Sequence, residues 1–316
     1  MRVKDEELGT MSGTLVKLLR RPRGFPEWTI LIALIILLGI ATITVSADFL
    51  TIYAPGKTSV QIGETTIRLS PLVPPGGTQT AATSDGDIVL SFLMGTDHLG
   101  RDVFTRIIFG AKFVLSVAVL STAMSALVGV PTGLFSGFVG GKIDRVISLV
   151  MDSIYAFPGL VLAIGLAALL GPGLINMSVA IAVVYIPSYF RVVRGQTLSV
   201  KELPYVEAAR ALGAKAATTM RRYIFPNVIP SVAVILSLNF ADAILTEAGL
   251  SFLGLGIPPD IADWGLDLAV SKSFFVSGFW WLGVFPGLMI VITVLAFSLL
   301  GEAINEKLSP VLSSEA

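Results

Sequence analysis

Few residues in this 316-residue chain are equipped for bond chemistry. His98 is the sole imidazole and there is no cysteine. Disulfides, thiolate metal sites, iron–sulfur clusters, a cysteine nucleophile and multi-histidine metal sites are therefore excluded. An intramembrane hydrolase needs a nucleophile beside a base, and the one histidine lies in a polar turn, where it reads as a solvated residue. A phosphate loop is missing too. Gly56-Lys57-Thr58 ends like one, but Thr51 stands where its first glycine belongs, and Gly141-Lys142 is followed by Ile143, which offers magnesium no hydroxyl. What remains is recognition. Asn239, Asp242 and Thr246 are spaced i, i+3 and i+7 and so share one helix face. Two readings are open: the stripe lines a translocation pathway, where Asp242 favours a cationic or hydroxyl-rich group, or Asp242 lies at the outer membrane boundary, snorkelling or paired with Arg101 or Arg106. Glu247 sits about 140° further round the helix at 100° per residue, which suits fixing the turn at 250–256 better than touching cargo.

The elements that position these residues follow from composition. The chain is 54% hydrophobic and 14% charged, against about 25% charged in ordinary globular domains, so it is a polytopic membrane protein. Its 22 basic and 22 acidic residues balance, which argues against nucleic acid as a partner. A bilayer core of about 30 Å takes roughly 20 apolar helical residues. Suitable runs are 28–47, 113–138, a double-length stretch at 153–190 cut by Gly171-Pro172-Gly173, 225–248, and 274–301, where Pro286 kinks the helix or marks its entry. The fold class is thus an all-α membrane protein with six transmembrane helices. An extended external loop at 48–96 joins spans one and two, tails occupy 1–27 and 302–316, and 97–301 is the core.

Sixteen of the 22 lysines and arginines fall on one side of this topology, six of them before Trp28 and seven at 191–222. By the positive-inside rule both termini are cytoplasmic. Val45-Ser46-Ala47 imitates a signal cleavage site, but the long preceding tail and the full-length apolar run favour a retained span. In the external loop, alternation at 58–69 predicts a hairpin, whereas the Thr- and Gly-rich run at 78–84 reads as flexible; the loop either contacts a partner or is passive. Gly129, Gly133 and Gly137 form a small-residue groove that another helix can approach.

The most specific stretch is the cytoplasmic loop at 195–226. Pro204 suits a first helical turn, the run at 207–212 favours helix, and Gly213 suits a helix stop. Here the chain resembles a known family. Glu207, Ala208, Ala209, Gly213, Ile224 and Pro226 match the EAA loop of importer-type ABC permeases. The runs Gly95-Thr96-Asp97-His98-Leu99-Gly100-Arg101-Asp102-Val103 and Leu250-Ser251-Phe252-Leu253-Gly254-Leu255-Gly256, with Trp264-Gly265, resemble the second permease subunit of dipeptide, oligopeptide and nickel importers, over about 95–301.

That resemblance implies a type I ABC importer permease (MetI-like) fold in a prokaryotic plasma membrane. It implies a transport subunit without catalytic residues, cofactor or metal. The implied partners are a second, related permease forming a heterodimer, two ATP-binding subunits that hold ATP and magnesium, an external substrate-binding protein, and membrane lipid. The helix bearing Glu207 would dock in the ATPase, with Ala208 and Ala209 permitting close approach. Cargo would be short peptides, or alternatively oligosaccharides or nickel. The segment at 53–83, the terminal tail and Asp242 depart from the family pattern. An ion-coupled secondary transporter is the rival, though it would call for paired intramembrane carboxylates or two similar halves.

Overall fold

The computed structural model describes residues 25–83 and 86–308, so the expected tails lie mostly outside the described residues. Helix α1 (Phe25–Val45) is followed by a single turn, α2 (Ala47–Leu50), and then by two antiparallel hairpins, β1 (Ser59–Ile62) with β2 (Thr65–Arg68) and β3 (Gly77–Thr83) with β4 (Gly86–Phe92). The chain continues through α3 (Val103–Val139), α4 (Gly141–Tyr155), α5 (Gly159–Leu170), α6 (Leu174–Val200), the short α7 (Pro204–Ala211) and α8 (Ala216–Thr219). A π-turn (Met220–Ile224) leads into α9 (Phe225–Phe252), and α10 (Trp264–Phe275) and α11 (Trp281–Leu308) complete it. Five helices among the described residues are long and apolar enough to cross a membrane, and six spans result if α4 and α5, bent by 87°, count as one.

The hairpin expected at 58–69 is present as β1 and β2. Four features depart from the sequence expectation. The Thr-rich β3 was expected to be flexible. It alternates only weakly, and its apolar face is supplied by Leu90 and Phe92 of β4, which join Val60, Ile67 and Leu69 in a small separate core. The helix of the second span starts at Val103 rather than 113: of the two charges in its first turns, Arg106 is buried and satisfied and Lys112 is exposed. The third span is broken at Pro158, and its first half, α4, carries Lys142, Asp144, Arg145 and Asp152. The last span begins at Trp281, and Phe274 belongs to α10; a turn at Gly278, with φ +90°, separates them inside one charge-free run.

The main core is built around α3 and α6. A Cβ on Gly129 would lie 2.6 Å from the Tyr189 Cβ, one on Gly133 2.7 Å from the Phe190 carbonyl oxygen, and one on Gly137 2.9 Å from the Arg194 carbonyl oxygen. The small-residue groove is therefore filled by α6 of the same chain, and Ser125 Oγ donates across it to the Ala182 carbonyl at 2.9 Å. Backbones this close gain dispersion contact without needing a hydrophobic drive, which lipid does not supply.

Candidate coupling surface and pathway face

The short helix α7 is defined locally at both ends. Pro204 occupies its first turn, where the missing N–H breaks no bond, after Leu203 in extended conformation. At the other end Gly213, with φ +86°, donates to the Arg210 carbonyl while Ala214 N–H reaches the Ala209 carbonyl, a Schellman closure. Val206 (0% exposed) and Ala209 (7%) face inward. Val206 packs with Val193 and Val200 of α6, with Ile224 of the π-turn and with Val228 at the start of α9. The Arg210 guanidinium lies 4.9 Å from the Phe138 ring centroid, over the last turn of α3. One short rod is thus fastened to the ends of three long helices.

The matched residues divide by role. Glu207, Ala208 and Gly213 are exposed, whereas Ala209 and Ile224 are internal anchors. Residue type alone suggested that Ala208 and Ala209 both serve a close approach from outside; only Ala208 is free to do so. Pro226, exposed, follows the π-turn, and its missing N–H removes one α-helical bond just where the register is wide. Beside this region, between α3 and the start of α9, opens a groove of about 640 Å³ lined by residues such as Leu127, Pro131, Met220 and Phe225. Its apolar walls suit a helix or lipid chain rather than polar cargo.

The polar stripe on α9 splits. Asn239 and Thr246 are buried and Asp242 is exposed. Thr246 Oγ1 and the Tyr185 hydroxyl of α6 are 2.8 Å apart. Among the described residues, Asn239 Nδ2 and the Tyr189 hydroxyl are buried without a hydrogen-bond partner. Pairing of Asp242 with Arg101 or Arg106 is ruled out by geometry, because both arginines are committed elsewhere. Arg101 Nε donates to Asp97 Oδ2 at 2.6 Å and its Nη1 to the Pro259 carbonyl at 2.7 Å. Arg106 binds Asp267 through Nε and Nη2, at 2.6 Å for the shortest contact, and donates to the Pro55 and Ile261 carbonyls.

These arginines form a clasp that the sequence did not disclose. The run before α3 turns on Asp97, whose Oδ1 accepts from the Leu99 and Arg101 amides, while Asp102 caps α3 by accepting from Thr105. Trp264, fully buried, donates its indole N–H to the Ile107 carbonyl at 2.9 Å, and Gly110 is the residue against which that ring lies. Gly265 sits directly on the Ala248 backbone. Ser251 Oγ lies 3.0 Å from Glu247 Oε1 and 3.1 Å from Asp263 Oδ2, so Glu247 fixes the turn after α9, as its helical position suggested. His98 is not freely solvated: it is half-buried and stacks on Phe274 with centroids 5.2 Å apart. That burial holds its imidazole below the ordinary histidine range, Asp97 opposing the shift while Arg101 and Arg106 add to it. The signals for this clasp were the run at 95–103 and the Trp264-Gly265 pair; what neither disclosed was their pairing, across more than 150 residues of sequence.

Residues 129–314 match the family described as binding-protein-dependent transport system inner membrane component. The chain is 41% identical over 221 residues to the glutathione transport system permease protein GsiD of Pectobacterium atrosepticum, covering 70% of this chain and 73% of that one. It is 38% identical over 288 residues to a putative peptide transport system permease protein of Brucella abortus, covering 90% and 88%. Identity is 39% over 225 residues to the di/tripeptide transport system permease protein DppC of Pseudomonas aeruginosa, covering 71% and 74%. A chain of the MetNI methionine ABC transporter in an inward-facing conformation superposes with a TM-score of 0.54 at 17% identity, over 64% of this chain and 96% of that one, a likeness of fold.

Proposed function

The chain belongs to the family of binding-protein-dependent transport system inner membrane components and is an importer permease subunit; on that premise we propose that it carries short peptides, driven by ATP hydrolysis on partner subunits. A second, related permease completes the passage, two ATP-binding subunits hold ATP and magnesium, and an external binding protein delivers cargo at the end that carries the hairpins. Both termini lie in a prokaryotic cytoplasm, a placement supported by the sixteen basic residues on that side. Asn239, Asp242 and Thr246 belong to the pathway helix.

One observation carries the reading: α7 presents Glu207 and Ala208 outward while Val206, Ala209 and Arg210 tie it to α3, α6 and α9. An anion near a helix N-terminus favours a basic partner group. A rod fixed at three points transmits displacement as rigid-body motion rather than local bending. The peptide assignment rests on the relatives' names together with their coverage of both chains. The test is reconstitution. Proteoliposomes holding both permeases and the ATPase subunits, supplied with loaded binding protein, should accumulate labelled tripeptide only with ATP. Accumulation without ATP that collapses on adding an uncoupler would assign the chain to ion-coupled transport instead.

A further inference from the structure

Asp242 is an exposed carboxylate in the middle of a membrane helix, and among the described residues it makes no hydrogen bond or ion pair. It lies ten residues before the end of α9 and seventeen after its start, about 15 Å and 26 Å at 1.5 Å per residue. Facing hydrocarbon at that depth, such a group would cost several kcal/mol, so its face meets water or a positive charge. Among the described residues no lysine or arginine forms an ion pair with it. Arg101, Arg106, Arg191 and Arg194 are bound to Asp97, Asp267, Asp152 and Asp144 respectively.

The surroundings sharpen the selection. Leu238 and Leu245 are exposed one turn to either side, and apolar walls strengthen any ion pair formed between them. The Tyr185–Thr246 hydroxyl pair lies about one turn further along the same helix face. With no lysine or arginine on this face of α9, a cargo carboxylate finds no counter-charge there and is repelled.

We propose that Asp242 binds the free ammonium group of the cargo in mid-membrane, so that the permease itself selects solutes with an unblocked amine. This rests on α9 being the pathway helix. The ammonium donates to the carboxylate oxygens, and release follows when the passage opens and water re-enters the site.

The experiment is ATP-driven uptake by the reconstituted complex of trialanine and of N-acetyl-trialanine, compared between wild type and variants with the same binding protein. Because that protein is common to all samples, a change in the preference belongs to the permease. Asp242→Asn should reduce the preference for the free amine at least tenfold, and Asp242→Glu should keep most of it. An unchanged preference in Asp242→Asn, or equal loss of both cargoes, overturns the proposal. Asp242→Cys in this cysteine-free chain separates the underlying reading. Labelling by a membrane-impermeant thiol reagent with the preference unchanged leaves the pathway standing and removes amine recognition. No labelling removes the pathway itself.

Discussion

Replacing Gly133 with alanine is a sharp test of the α3–α6 packing. In an open helix the exchange stabilises by about 0.5–1 kcal/mol, because glycine loses more backbone freedom on folding. At Gly133 the added Cβ would lie 2.7 Å from the Phe190 carbonyl oxygen, 3.0 Å from the Val193 Cβ and 3.2 Å from the Arg194 amide nitrogen. Two of these three are backbone atoms of a helix and cannot rotate away. Ordinary contact begins at 3.4 Å, so α6 must retreat by about 0.7 Å, breaking contact along the whole seam. Overpacking of this kind costs about 1–3 kcal/mol, which outweighs the helical gain. Gly195, also in α6 but with nothing within 4 Å of a built Cβ, is the internal control. Unfolding of the purified chain in mixed micelles should place Gly133→Ala below wild type and Gly195→Ala at or above it. If Gly133→Ala matches or exceeds wild type, the helices do not approach as described, and the placement of every residue on α6 and α9 falls with them.

Two further predictions concern the outer clasp. Arg106→Ala leaves the Asp267 carboxylate buried without its partner, a class of change that costs about 3–5 kcal/mol; Arg106→Ala combined with Asp267→Ala should lose less than Arg106→Ala alone, and a strictly additive loss in the same unfolding assay would contradict the pairing. His98 has a lower pKa folded than unfolded, so the unfolded chain binds more protons and stability falls as pH drops below the ordinary value of about 6.5 toward the folded one. His98→Phe keeps the stack on Phe274 and removes the titration. Its unfolding temperature should therefore gain on wild type between pH 7.5 and pH 5.5, and a constant difference would refute the burial of His98.

Legibility in the sequence followed the range of the interactions. The bounds of α7 were readable because Pro204 and Gly213 act on their own neighbours through a fixed φ and a left-handed φ. The inward turn of Ala209 was not, because Ala208 and Ala209 are the same residue type, and only the packing of Val206 against Ile224 fixes the helix's rotation. The glycine repeat in α3 announced a groove through its four-residue spacing, without naming α6 as its occupant. Arg106 and Asp267 lie 161 positions apart, and neither carries a local cue to the other, so Arg106 read as a possible partner of Asp242 rather than of Asp267. The break between α4 and α5 was hidden because Pro158 falls inside the charge-free stretch at 153–190, which read as span from its first residue, while the charged turns of α4 before it read as loop. β3 was missed because strand pairing let a Thr-rich segment borrow an apolar face from β4.

Disulfide trapping in the assembled transporter addresses the coupling role of α7 most directly. The chain has no native cysteine, so Ala208→Cys introduces one thiol on the outward face of α7, and Ala209→Cys places one on the inward face as control. With single cysteines set around the cleft of the ATP-binding subunit, the Ala208→Cys protein should crosslink to that subunit, with a yield that changes on adding ATP, while the Ala209→Cys protein should not. Absence of any Ala208→Cys crosslink to the ATP-binding subunit, in a complex that still imports, would contradict the account.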